Sequence, residues 1–100
     1  MAAHERARDY RRAAEMLDET LTKIDLIGPR RIEYEGPRDG QIDEHFAWKA
    51  TVDQLIDGDL FEVAVEVYWS TPTGQRSVQA RTLINDAIES RNPLLTWDDL

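Results

Sequence analysis

The sequence predicts an α+β domain, a long N-terminal amphipathic helix packed on an antiparallel β-sheet. Three observations carry that reading: an unbroken helical period before Gly28, apolar alternations of period two from Phe46 onward, and turn residues between them. At 100 residues the chain has the size of one domain with one hydrophobic core. An apolar share of 41% separates it from disordered chains, and 32% charged residues imply a well-solvated surface.

Tyr10, Ala14, Leu17, Leu21 and Ile24 follow one another at spacings of four and three, and no Gly or Pro interrupts residues 3–27, so a helix is expected over about 3–27. Gly28-Pro29 should close it, because glycine accepts a left-handed backbone and proline cannot continue the ladder. At roughly 1.5 Å per residue such a helix is about 35 Å long, more than a small sheet needs as cover, so part of it is expected to project. A second, weaker line beside the main stripe, Ala13, Met16, Thr20 and Ile27, reads either as the flank of the core or as a contact for another helix. The first turns are basic, with Arg6, Arg8, Arg11 and Arg12 against Glu5 and Asp9.

Ile32 and Tyr34 alternate over about 31–35 and predict a short strand, ended by Gly36-Pro37 and the polar run Arg38-Asp39-Gly40. Phe46, Trp48, Ala50 and Val52 form the apolar face of a strand over about 46–55. After the turn Asp57-Gly58-Asp59, the residues Phe61, Val63, Val65, Val67 and Trp69 repeat the pattern over about 60–69. Thr71-Pro72-Thr73-Gly74 then turns the chain into a third long strand over about 76–84, with Val78, Ala80, Thr82 and Ile84 on one face. Glu62 and Glu66 are expected to face Arg76 and Arg81 across the hairpin. A sheet with one apolar face needs a cover, and the helix is the element available. Residues 85–100 read as an acidic tail containing Pro93, loose or docked on a partner. Trp97 in that tail has no assigned core and is a candidate partner contact.

Composition and motif content argue against several functions. A net charge of -8 disfavours nucleic acid and anionic membrane surfaces as main partners. No stretch approaches a membrane span of about 20 apolar residues, and the N-terminus lacks the apolar core of a signal peptide. Cysteine is absent, which excludes disulfides and thiolate metal sites. Asp39, Asp43, Glu44, Asp57 and Asp59 lack the spacing of a calcium loop, and His4 and His45 stand singly, so no metal site is expected. Ser70, Ser77 and Ser90 have no nucleophile context and no Gly-rich phosphate loop occurs, so neither enzyme activity nor a cofactor is expected.

The segments Phe46-Ala-Trp-Lys-Ala-Thr-Val52, Asp57-Gly-Asp-Leu-Phe-Glu-Val63 running into Val65-Glu-Val-Tyr-Trp69, and Gly74-Gln-Arg-Ser-Val78 running to Arg81-Thr-Leu83 resemble the general secretion pathway protein I family. These are minor pseudopilins of the type II secretion system and have the type IV pilin-like fold. The resemblance covers roughly residues 10–84 and rests on strand rhythm, with no catalytic motif in it. It implies a pilin-like domain over residues 1–84 that joins other minor pseudopilins by helix packing at the pseudopilus tip, supporting export of folded proteins without a cofactor. It also implies a periplasmic location, anchored to or assembled from the inner membrane, with a single N-terminal membrane helix in the full-length protein. The family's prepilin leader and apolar helix half are not in this sequence, and residues 87–100 have no counterpart in it. On this reading the partner-binding residues are Tyr10, Ala13, Met16, Thr20 and Trp97. A second reading of the residues is a small non-enzymatic protein-binding module that uses its acidic tail or its helix.

Overall fold

The computed structural model describes residues 2–56, 58–87 and 92–100; the side chains of residues 2–5 are outside the description. Asp57 of the expected turn, residues 88–91 of the expected tail (Ser90 among them) and the side chain of His4 therefore lie outside the described residues. The chain forms α1 (Ala2–Ile27), α2 (Pro29–Glu35), β1 (Asp39–Gln41), β2 (Phe46–Gln54), β3 (Leu60–Thr71) and β4 (Gly74–Asn85), and Trp97–Asp99 forms a 3-10 turn. The strands make one antiparallel meander in the order β1-β2-β3-β4. The fold is thus α+β, a long N-terminal helix on an antiparallel sheet. Among the described residues no helix is long and apolar enough to cross a membrane.

The strand alternation translates directly into burial. Phe46, Trp48, Ala50 and Val52 of β2 and Phe61, Val63, Val65, Val67 and Trp69 of β3 all point into the core, and the register sets Trp48 opposite Val67 and Val52 opposite Val63. Strand β4, at the sheet edge, is less covered: Ile84 is buried, Val78 and Ala80 are half-buried and Thr82 is exposed. On the outer face Arg81 reaches Glu62 at 3.3 Å, whereas Glu66 pairs with Lys49 of β2 at 3.2 Å instead of with Arg76. Glu66 lies directly opposite Lys49 in the β2–β3 register, which makes the Lys49 contact the shorter reach.

Helix α1 runs antiparallel to β3. The Tyr10 ring meets the Trp69 ring edge-on at 5.0 Å, and beyond the other end of the helix the Arg30 guanidinium lies 5.1 Å from the Phe61 ring centre. From Phe61 to Trp69 the strand spans about 27 Å, and from Tyr10 to Gly28 the helix rises about 27 Å, so cover and core match in length. The turns before Tyr10 extend past the sheet, and Arg6, Ala7 and Arg8 there are exposed.

Two elements differ from the sequence expectation. Residues 31–35, expected as a strand, belong to helix α2. Gly28, at φ 102°, and Pro29 close α1 at Ile27 as expected, and a second helix begins at once at Pro29. The Gly28 amide still donates to Ile24 O at 2.8 Å, its carbonyl accepts from Ile32 N, and Pro29 takes the first helical position, where its missing N–H costs nothing. Ile32 enters the core while Tyr34 is 89% exposed, so the two alternate in burial without being a strand. The fourth strand comes instead from the polar run Asp39–Gln41, where Gly40 lies opposite Trp48. A Cβ at position 40 would stand 2.8 Å from the indole nitrogen of Trp48, so glycine is what allows that ring to lie against β1.

Asp43 closes the β1–β2 turn. Its carboxylate accepts the backbone N–H groups of His45 and Phe46 at 2.8 and 2.9 Å and pairs with Arg12 at 3.1 Å. The amides of Phe46 and His45, then the Arg12 guanidinium, hold its carboxyl below the usual carboxylate range. Stability from a lowered carboxyl is complete above the unfolded value of about 3.9 and is lost as the pH falls through the folded value. Asp43→Ala should therefore cost about 1 kcal/mol at neutral pH in urea melts, and its deficit against the native chain should shrink below about pH 4.

Candidate interaction surface

The structure places the five sequence-derived candidates in two settings, neither of them a free helix face. Tyr10 is half-buried against Trp69. Ala13 is 0% exposed, Met16 7% and Thr20 6%, so of the two readings of this line the flank of the core holds, and the contact reading of Ala13, Met16 and Thr20 is corrected. The helix is rotated on the sheet such that Ala13, Met16, Leu17, Thr20, Ile24 and Ile27 face inward, whereas Ala14 of the expected stripe is exposed and Leu21 is half-buried. Small Ala13 lets the helix backbone approach the sheet. The Thr20 hydroxyl is satisfied locally by donating to Met16 O at 2.8 Å, and that bond makes its burial tolerable.

Trp97 is brought to the same place. Its ring stacks on Trp48 at 5.2 Å with 16° between the planes, and Lys23 Nζ lies 4.3 Å from its centre. Together with Met16, Glu19, Thr20, Lys23, Gln41, Ile42 and Trp48 it lines a groove of about 220 Å³ between α1 and the β1–β2 edge. The tail segment carrying it is docked on the chain's own fold: Leu95 packs against the core, and the Arg31 guanidinium donates to the Leu95 carbonyl. Thr96 and Asp99 cap the terminal turn reciprocally, and these bonds hold the Asp99 carboxyl below its ordinary value. Lys23, Ile42 and Trp48 were not singled out as groove residues in the sequence. Trp48 carried the period-two signal of a core residue, and no local pattern ties Lys23 to an aromatic so far along the chain.

A second hollow, about 390 Å³, lies between α2 and the start of the tail and is lined by Ile27, Arg30, Arg31, Tyr34, Asp86 and Pro93 among others. Asp86 is buried there and accepts the Arg30 backbone N–H at 2.9 Å, which satisfies one of the open donors at the start of α2. Among the described residues no three His, Asp or Glu side chains converge as metal ligands.

The outer face of α1 is uncovered. Ala7, Arg11, Ala14, Asp18, Thr22 and Asp25 form one exposed stripe, basic toward its N-terminal end and acidic beyond Ala14. No family model, curated protein or solved structure matches the chain.

Proposed function

We propose that the chain is the periplasmic domain of a minor pseudopilin of the type II secretion system, a structural adaptor without catalytic activity or cofactor. It would sit at the tip of the pseudopilus, join partner pseudopilins by helix-to-helix packing and so support the export of folded proteins. The observation that carries the reading is a long N-terminal helix laid lengthwise on a four-stranded antiparallel meander, its first turns overhanging the sheet and a stripe of its outer face exposed. The strand rhythm of residues 46–83 adds to it. Since Ala13, Met16 and Thr20 are core, the packing stripe assigned here is Ala7, Arg11, Ala14, Asp18 and Thr22. Ala7 and Ala14 lie two turns apart and permit close approach of another helix, and the flanking charges set its register.

The test is association with the minor pseudopilins encoded beside this chain, measured by calorimetry or analytical ultracentrifugation. Ala14→Trp should abolish binding by holding the helices apart, and its melting midpoint should stay at the native value because the position faces solvent. If the native chain binds none of these proteins at micromolar concentrations, the adaptor reading falls.

A further inference from the structure

Strand β4 is an open edge of the sheet. Among the described residues no strand lies beyond it, and its ladder to β3 runs from Gly74 to Asn85 without a bulge. Two bonds at one end of the sheet fix which backbone groups turn outward: Leu55 N–H donates to Leu60 O, and Asp86 N–H donates to Asp59 O. Hydrogen-bonded pairs recur at every second residue of an antiparallel ladder, so the even-numbered residues of β4 bond to β3. Gln75, Ser77, Gln79, Arg81 and Leu83 therefore direct their N–H and C=O groups away from the sheet, where no described residue bonds to them. The usual devices that blunt an edge are missing from this strand: it has no proline, lysine or bulge, and Arg76 and Arg81 are its only charges. Its inner face is also incompletely covered, with Val78 and Ala80 half-buried and Thr82 exposed.

We propose that β4 is a self-association edge, on which a second copy of this chain lays its own β4 antiparallel across a two-fold axis at Gln79. In that register Gln75 of one copy pairs with Leu83 of the other and Ser77 with Arg81, so all five outward residues exchange backbone hydrogen bonds. On the inner face Val78 of each copy meets Ala80 of the other in a non-hydrogen-bonded pair, where side chains come closest, and Arg76 lies opposite Thr82. No like charges stand opposite one another. A shift of two residues either way would set Arg76 against Ala80 or Ile84 instead. The occupant is a second copy because the surroundings are complementary to themselves under this axis. Helix α1 flanks β4 on the inner face, with Leu21, Thr22 and Asp25 beside residues 82–85. The axis sets the two α1 helices antiparallel on one face of a continuous sheet. In the first half of α1 Arg6, Arg8, Arg11 and Arg12 outweigh Glu5 and Asp9, and beyond Ala14 Glu15, Asp18, Glu19 and Asp25 outweigh Lys23. The basic half of each helix is thereby turned toward the acidic half of the other. This inference goes beyond the pseudopilin reading, and its test uses the chain alone, so the two fail separately.

Edge pairing over residues 75–83 makes a small interface, below about 1,200 Å², so association is read at high concentration. Sedimentation of the full chain from about 10 μM to about 1 mM should show monomer passing into dimer. Gln79→Pro removes an outward N–H at the axis and no bond to β3, so it should weaken association at least about tenfold and leave the melting midpoint of the dilute chain nearly unchanged. Ser77→Lys sets a cation opposite Arg81 of the other copy and should weaken the dimer, whereas Ser77→Glu should tighten it, each by about threefold or more because the contact occurs twice. On the native chain the amides of Ser77, Gln79 and Arg81 should gain protection from hydrogen exchange as concentration rises, while those of β3 keep one rate. A chain still monomeric at about 1 mM overturns the proposal, leaving the edge to an extended segment of another protein. A dimer indifferent to Gln79→Pro, or the two Ser77 variants acting alike, overturns it by placing the contact elsewhere. If Gln79→Pro does not fold, the Ser77 pair and the exchange measurement decide, and equal exchange of the three amides at both concentrations sinks the idea.

Discussion

Replacing Phe61 with Ala should lower the unfolding free energy by about 3–5 kcal/mol, a large part of the roughly 5–15 kcal/mol available to a domain of this size. Phe61 is fully buried on β3, opposite Gln54 and Ile84, beneath the Arg30 guanidinium. Truncating it removes the ring's apolar contacts and leaves a cavity that the flanking strands, tied into one ladder, cannot close. It also strips the ring from under Arg30, which donates to Gly58 O at 2.7 Å and Asp59 Oδ1 at 3.1 Å and so braces the β2–β3 loop. In urea the midpoint should fall with the slope unchanged. Leu83→Ala on the outer face of β4, where the side chain is 57% exposed, should change stability by no more than about 0.5 kcal/mol. Equal costs for the two variants would mean that the sheet faces are misassigned.

Met16→Glu should unfold much of the population at neutral pH, costing about 3–5 kcal/mol. On the partner-contact reading of the line Ala13, Met16 and Thr20, the same change would leave the melting midpoint untouched. The burial of Met16 at the α1–β2 groove reverses that expectation. A carboxylate there loses its hydration, stands near Glu19, and finds the groove's cation, Lys23, already over the Trp97 ring. Burial raises the folded-state pKa of such a group above the unfolded value of about 4.3. The excess cost over Met16→Gln should therefore be complete at neutral pH, shrink as the pH falls through the folded value, and vanish below about pH 4.3. A midpoint independent of the substitution would return Met16 to the surface.

These two variants also separate core from contact surface. The residues that the sequence nominated for a partner are required by the fold itself, so a binding defect in Met16→Glu would report unfolding. The exposed stripe with Ala14 is where a substitution can touch association alone. Trp97 differs again, because it is attached to the fold through Trp48 and Lys23 without being part of the sheet.

What the sequence by itself determined were the elements whose period is long enough to be unambiguous. Helix α1 keeps its apolar period from Tyr10 to Ile24, and β2 and β3 alternate along most of their length, so a slip would expose a whole face. Tertiary structure decided the rest. Ile32 and Tyr34 fit a strand and a short helix equally well, and only the continuity of hydrogen bonds through Gly28 and the packing of Ile32 selected α2. Asp39–Gln41 has no strand propensity of its own and pairs because Gly40 can lie against Trp48. The helix rotation followed from the closeness that Ala13 allows and from Thr20 bonding to its own backbone, neither of which weighs in a hydrophobic count. The tail was settled last, by contacts from Trp97 to Trp48 and Lys23 and from Leu95 to Arg31. Sequence periodicity reports a residue's place in its own element, and these contacts join elements far apart in the chain, so the groove exists only once the helix and the sheet have met.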